Sequence, residues 1–327
     1  MKPKAVFLVD SPWAGPTSFF EIYNDVAMGR LRALFDIEPV ITPIEAAAEA
    51  EYVFSTWGMH SLGEEQIRAS LPRVKAVFYA AGTVQYFARP FLKRGVKIFS
   101  AWAANAVSVA EFTVAQILLA NRGYFHDIRR AQRPSEKIER PGSYHSKVGI
   151  LGAGMIGRRV IETLEATTDL DILVYDPFVR PEYLAAHRAQ GADLGRIFRE
   201  CSVITNHVAN LPATVGMLDY TLFSQMGPHA TFINTGRGAQ VVEADLIRAL
   251  KEAPGRTALL DVTDPEPPLP ESELRTLPNV FLSPHIAGTL ASEYLRMALC
   301  VIEEAEALLA GRPTRYEVTE KMLETMA

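Results

Sequence analysis

Short apolar runs and amphipathic stretches alternate along most of this chain. In the first hundred residues the apolar runs cover 5–9, 37–40, 52–55, 74–79 and 97–100, each bounded by polar or turn-forming residues. Runs of that length and composition predict strands buried in a parallel sheet. Helical spacing of apolar positions predicts helices over 18–34, 64–70 and 86–94, then a long one over 105–121. Further strands are predicted at 147–151, 171–175, 203–206, 231–234, 257–261 and 280–282, and a last helix at 291–309, stopped by Gly311 and Pro313. Regular alternation of this kind predicts an α/β fold with doubly wound parallel sheets. Their C-terminal strand ends would form the ligand crevice.

Composition narrows the class without naming it. A length of 327 residues suits two domains. Hydrophobic content of 48% and charged content of 22% are those of an ordinary globular protein. A net charge of -5 offers no basic field to nucleic acid or to an anionic membrane. Cys201 and Cys300 lie too far apart for a zinc spacing or a disulfide framework, and no metal site is expected. The N-terminal apolar run is too short for a signal peptide, and no run approaches the eighteen apolar residues of a membrane span. The expectation is a soluble cytoplasmic protein.

One motif gives the alternation a purpose. After the strand at 147–151 come Gly152, Gly154 and Gly157 on a G-x-G-x-x-G spacing, opening an amphipathic helix with Ile156, Val160, Ile161 and Leu164 on one face. A strand that turns sharply into a helix presents the helix's first amides to an anion, and a side chain at Gly154 would block a pyrophosphate. The next strand ends in Asp176, nineteen residues after Gly157, where a carboxylate can accept from both ribose hydroxyls. Asp176 could instead cap the turn before Pro177. The motif lies in mid-chain, which predicts a separate α/β domain before it. The expected division is 1–103 with 291–327 as substrate domain and 104–290 as dinucleotide domain, the active site lying in the cleft between them.

Three later strand ends carry reactive groups: Arg237 within FINTGRG, Asp261 and Glu266 within LLDVTDPEPP, and His285 within FLSPHIAG. Hydride transfer from a hydroxy acid needs a base for the hydroxyl proton, and histidine titrates in a suitable range. A carboxylate behind the ring fixes its tautomer and favours the imidazolium. An arginine can hold the substrate carboxylate through paired, charge-assisted bonds. Asp264, two residues before Glu266, is the competing carboxylate; spacing favours Glu266.

On these residues the chain resembles the D-2-hydroxyacid dehydrogenase family, over about 52–288, most specifically in VGILGAGMIG, FINTGRG, LLDVTDPEPP and LSPHIAG. The resemblance implies a flavodoxin-like substrate domain beside an NAD-binding Rossmann domain, a homodimer, and NAD as cofactor. It implies Arg237, Glu266 and His285 as the catalytic set and a small 2-hydroxy or 2-keto acid as substrate. The cofactor would be held by Gly152, Gly154, Met155, Ile156, Gly157, Asp176, His207, Val208, Thr235, Gly236, Asp261 and Gly288. Asp261 would meet the nicotinamide carboxamide, and His207 and Val208 would pass beneath the cofactor. The substrate would meet Trp57, Gly58, Ala81, Gly82, Thr83, Arg237 and His285.

Two loops depart from the family pattern. AAGTVQYF keeps Gly82 but replaces the usual acids around Gln85, and HVANL lacks the usual proline and threonine. The amides of Ala81, Gly82 and Thr83 can still receive a carboxylate. His60, His126, His145, His187 and His229 show no partner signal and read as surface or capping residues. Trp102 and Asn105 fall at the expected hinge, and Arg129, Arg130 and Arg133 read as a solvated linker face. A co-repressor-like NAD(H)-sensing scaffold is the rival from another class. Formate dehydrogenase, with glutamine in place of the acid, is the rival enzyme.

Overall fold

The structure, a computed structural model, describes residues 2–10, 16–128 and 140–326. The chain divides into two compact units, Met1–Asn105 with Thr289–Ala327, and Ala106–Gly288. Arg129, Arg130 and Arg133 lie outside the described residues.

The first unit is built on a sheet of β1 (Ala5–Phe7), β2 (Tyr52–Ser55), β3 (Ala76–Tyr79) and β4 (Lys97–Ser100), adjacent in that order and all parallel. Register aligns Phe54, Phe78 and Phe99 on one face, where the rings stack with centroids 4.9 and 5.0 Å apart. Such pairs add about 0.5–1.5 kcal/mol each beyond their burial. Val53, Val77 and Ile98 point to the opposite face and a second buried cluster, as the period-2 pattern of strands requires.

Two expected elements in this unit are corrected. Residues 37–40 form no strand: bridges at Asp36 and Ile41 alone join this stretch to the outer edge of β1. Pro39 has no N–H for a ladder, and the Val40 amide turns back to the Glu38 carbonyl at 2.8 Å. The helix expected at 18–34 is two helices, Pro16–Ile22 and Asp25–Leu34. Asn24 separates them, because its side chain caps the second by accepting from the amides of Val26 and Ala27.

The second unit holds a seven-stranded, wholly parallel sheet. Its strands are β5 (Tyr144–Leu151), β6 (Asp169–Tyr175), β7 (Ala189–Gly191), β8 (Val203–Asn206), β9 (Thr231–Asn234), β10 (Thr257–Leu260) and β11 (Val280–Leu282). Their spatial order is β11-β10-β9-β8-β5-β6-β7, so the winding reverses between β5 and β8. That switch point is where open α/β sheets bind ligands. Val148, Ile150, Ile172, Val174 and Ile233 pack on one face, with Val160, Ile161 and Leu164 of the following helix. Full burial of each such side chain stabilises by roughly 1.5–3 kcal/mol. Leu151, Leu173, Ile204, Phe232 and Leu260 line the other face.

Sequence patterning missed β7 and the short β12 (Glu317–Val318), which returns to the first sheet antiparallel to β4. Buried Glu304 directs that return by accepting from the amides of Arg315 and Tyr316. The long helix starts three residues earlier than expected and runs Trp102–Asn121. Contrary to expectation, its length and composition would suit a membrane span. In the fold Ala110, Val114, Ile117 and Ala120 belong to the core of the second unit, and buried helices of globular proteins pass the same test.

Candidate active site

The fingerprint turn is built by close approach. At Gly152 (φ +88°) an added Cβ would meet the His207 carbonyl oxygen at 2.8 Å. At Gly157 it would fall 2.0 Å from the Gly152 carbonyl oxygen, so the helix Met155–Thr167 can pack against the turn only without a side chain there. Gly154 differs: a methyl added there would meet nothing within 4 Å, leaving open space over the helix's first amides. Met155 and Ile156 occupy that first turn. Asp176 closes the site at the end of β6, one carboxylate oxygen accepting from the Ala153 amide at 2.6 Å and the other from Phe178 at 2.7 Å. It thus caps its own turn and also reaches the glycine loop. An open cradle for a pyrophosphate beside a strand-end carboxylate fits NAD.

A buried amide cluster that no sequence motif marks lies below these loops. Parallel pairing sets Asn206 at the end of β8 opposite Asn234 at the end of β9. The Asn206 side-chain amide donates to Asn234 Oδ1 at 3.0 Å and to Gln240 Oε1 at 2.6 Å. Gln240 in turn donates to the Val208 carbonyl, Asn234 donates to the Arg237 carbonyl, and Asn234 Oδ1 accepts from the Gly236 amide. One network therefore fixes both the His207–Val208 loop and the Gly236–Arg237 loop. His207 is held as a neutral ring between the hydroxyls of Thr205 and Thr235, the latter also meeting Thr113. Burial pushes its imidazole down to about 3, which removes it from proton transfer near neutrality.

The three expected reactive groups fall on successive strand ends of this one sheet. Glu266 Oε1 lies 2.6 Å from His285 Nδ1, so Glu266 rather than Asp264 is the partner. Both side chains are partly exposed, so the pair orients the ring more than it stabilises the fold. His285 occupies the left-handed region (φ +55°), an uncommon conformation for a non-glycine residue. Asp261 enforces it: its buried carboxylate accepts from the Ser283 hydroxyl and from the amides of Ile286 and Ala287, on either side of His285. Arg237 is half-buried and donates to the Gly236 carbonyl at 2.7 Å. Burial lowers the pKa of its guanidinium, and the Glu266 carboxylate opposes that shift. Gly288 ends the unit.

The remaining candidates sit on strand ends of the first unit. Trp57 packs into its core, edge-on to Tyr294, and the Gly58 carbonyl accepts from the Asp10 amide. Ala81, Gly82 and Thr83 follow β3. Gln85, where the family has acids, donates to the Leu323 and Met326 carbonyls and so ties the loop to the C-terminal segment. Asn105 accepts from the amide and hydroxyl of Thr289, and Trp102 meets Tyr316 edge-on. Several histidines do have carboxylate partners: Asp127 for His126, Asp171 for His145 and Glu165 for His187. His126 and Asp127 are sequence neighbours on one helix, whereas the other two pairs join separate elements that residue spacing does not connect.

A glycine cradle at the switch point of a parallel sheet, with arginine, glutamate and histidine on its strand ends, defines a dinucleotide-binding α/β protein with a polar reaction centre. The family model described as "D-isomer specific 2-hydroxyacid dehydrogenase, NAD binding domain" matches residues 114–287. The chain belongs to that family, and its cofactor is NAD. Among curated relatives, a D-3-phosphoglycerate dehydrogenase of Archaeoglobus fulgidus is 28% identical over 71% of this chain and 44% of its own length. The Synechocystis enzyme of the same name is 30% identical over 69% of this chain and 41% of its own. The chain thus spans under half the length of these two relatives. Among solved structures, a phosphoglycerate oxidoreductase from Rhizobium etli has a TM-score of 0.78 at 21% identity, covering 98% of this chain and 100% of that one. Rhodotorula graminis D-mandelate dehydrogenase gives 0.78 at 19%, covering 97% and 98%. At that identity the likeness is one of fold.

Proposed function

We propose that this protein is an NAD-dependent oxidoreductase that interconverts a small D-2-hydroxy acid and its 2-keto acid. The observation that carries the reading is the His285–Glu266 pair on the strand ends that also bear Arg237. With Nδ1 turned to Glu266, His285 presents Nε2 to the substrate. In the reducing direction Nε2 gives its proton to the carbonyl oxygen; in the oxidising direction it takes the hydroxyl proton. Glu266 keeps the charged ring oriented during that exchange. Arg237 pairs with the substrate carboxylate and polarises the carbonyl. NAD, when bound, supplies or accepts the hydride.

Gly152, Gly154, Met155, Ile156 and Gly157 would hold the pyrophosphate, and Asp176 the adenosine ribose. His207, Val208, Thr235, Gly236, Asp261 and Gly288 would line the remainder of the cofactor site. The amides of Ala81, Gly82 and Thr83 would take the substrate carboxylate, with Trp57 and Gly58 beside them. We further propose a cytoplasmic homodimer, and light scattering on the purified protein tests its stoichiometry.

The decisive test is a steady-state screen of NADH oxidation with glyoxylate, hydroxypyruvate, pyruvate and phenylpyruvate, alongside NAD reduction with 3-phosphoglycerate. Saturable turnover of at least one of these, abolished in a Glu266, His285 double variant, is the expected result. Tight NADH binding without turnover of any would overturn the enzymatic reading.

A further inference from the structure

We propose that Gln240 is a positioning residue whose single side-chain amide holds both the peptide that carries Arg237 and the loop at Val208. The inference rests on the roles proposed for Arg237 as substrate anchor and for Val208 beneath the cofactor, and concerns what keeps both in place.

β8 ends at Asn206 and β9 at Asn234, so the residues beyond them leave the ladder that holds the strands. Side chains take over there. The Val208 amide donates to Asn206 Oδ1 at 3.2 Å, and the Val208 carbonyl accepts from Gln240 Nε2 at 2.7 Å. The Arg237 amide donates to Gln240 Oε1 at 3.3 Å, and the Arg237 carbonyl accepts from Asn234 Nδ2 at 3.0 Å. Both backbone groups of each residue are therefore held by side-chain amides, and Gln240 reaches both residues. Its two ends are not interchangeable. The Val208 carbonyl needs a donor and the Arg237 amide an acceptor, which fixes the orientation of the Gln240 amide. Asn206 reinforces that orientation by donating to the same Oε1 at 2.6 Å.

Gln240 is itself anchored. It closes the short 3₁₀ turn Gly238–Gln240, and its carbonyl accepts from the Leu218 amide at 2.9 Å. Gln240 and Asn206 are fully buried and Asn234 nearly so, and a buried amide is costly unless it is bonded. A shift of Gln240 must therefore carry its partners along or leave them unmade. The Gly236 backbone lies directly on the pair, since an added Cβ there would meet Asn206 Nδ2 at 3.0 Å and Gln240 Oε1 at 3.1 Å. Arg237 follows with extended backbone (φ -142°, ψ 150°), so holding its amide and carbonyl fixes the direction in which its side chain leaves the chain.

The test uses the full chain with Gln240→Leu, which removes both ends of the amide, and Gln240→Glu, which keeps an acceptor for the Arg237 amide. Arg237→Met is the reference for loss of the anchor. NADH affinity is read by fluorescence titration. Affinity for oxamate, an unreactive 2-oxo carboxylate, is read at saturating NADH, so the two are measured apart. In Gln240→Leu oxamate affinity should fall by about tenfold and NADH affinity by about threefold or more, the scale of one unmade buried hydrogen bond at each loop. In Gln240→Glu oxamate affinity should stay within about threefold of wild type, because the Arg237 amide keeps its acceptor. A merely structural loss would lower the melting temperature of both variants without that rescue. Oxamate affinity unchanged in Gln240→Leu but lost in Arg237→Met overturns the proposal and leaves the enzymatic reading standing. Equal losses of oxamate affinity in Gln240→Leu and Gln240→Glu also overturn it. Oxamate affinity unchanged in Arg237→Met overturns the anchor role of Arg237 and the proposal with it. If Gln240→Leu does not fold, Gln240→Met, with an unbranched side chain, decides by the same comparison.

Discussion

His285 meets Glu266 at 2.6 Å through Nδ1, the contact in this protein that bears most directly on chemistry. Replacing His285 by alanine should lower turnover by roughly 10²–10⁴-fold while leaving the NADH dissociation constant within about threefold, since in the proposed reaction the ring serves proton transfer alone. Fluorescence titration and steady-state kinetics on the same preparation check both halves. His207 predicts the reverse pattern, a role in stability. Burial depresses its ring to about 3 in the folded state, below the ordinary value of 6.5. Between those values the unfolded chain binds the extra proton, so stability rises with pH across that window and is lost as pH falls through it. Thermal midpoints measured between pH 7 and pH 4 should therefore fall more steeply for wild type than for His207→Asn; parallel curves would refute the assignment. Asp176 bears on cofactor choice, because its carboxylate would repel a 2′-phosphate. NADH should give a higher kcat/KM than NADPH, and equal values would show that the carboxylate does not discriminate.

At the level of elements, the fingerprint glycines make separable predictions. Gly154→Ala should fold with an unchanged melting temperature, since nothing lies within 4 Å of the new methyl, yet weaken NADH binding by about tenfold or more as the phosphates lose close approach. Gly157→Ala should instead lower the melting temperature, because its methyl falls 2.0 Å from the Gly152 carbonyl oxygen and must push the helix off the turn. Calorimetry and titration on the two variants distinguish the effects. These glycines were legible in the sequence, as were the strands at 52–55, 97–100, 203–206, 231–234 and 280–282, whose apolar runs match the observed bounds. Local patterning suffices in the first four because most residues of each run are buried on one face or the other. It failed at 37–40, where Pro39 cancels an apolar pattern, and at β12, whose two residues are too few to show a period.

For the molecule as a whole, the second unit is continuous in sequence and owns two buried clusters, one on each face of its sheet. A fragment of residues 106–288 should fold cooperatively and bind NADH, as circular dichroism and titration would show. The first unit is discontinuous. Met297, Ala298, Val301, Ile302 and Ala305, all from the helix Tyr294–Leu309, complete its core, so residues 1–105 alone should not give a cooperative thermal transition. Local periodicity and short fixed spacings were enough to establish the class of fold and to nominate the cofactor turn and the three side chains of the proposed reaction. Packing in three dimensions was needed to bring Glu266, which spacing already favoured over Asp264, within bonding distance of His285, and to join Asn206, Asn234 and Gln240 in one network. It also set the Gln240 side chain against the Val208 carbonyl. These pairings join residues from different strands and loops; strand register and the packing of both faces bring them within bonding distance, and neither is encoded in any one stretch of chain.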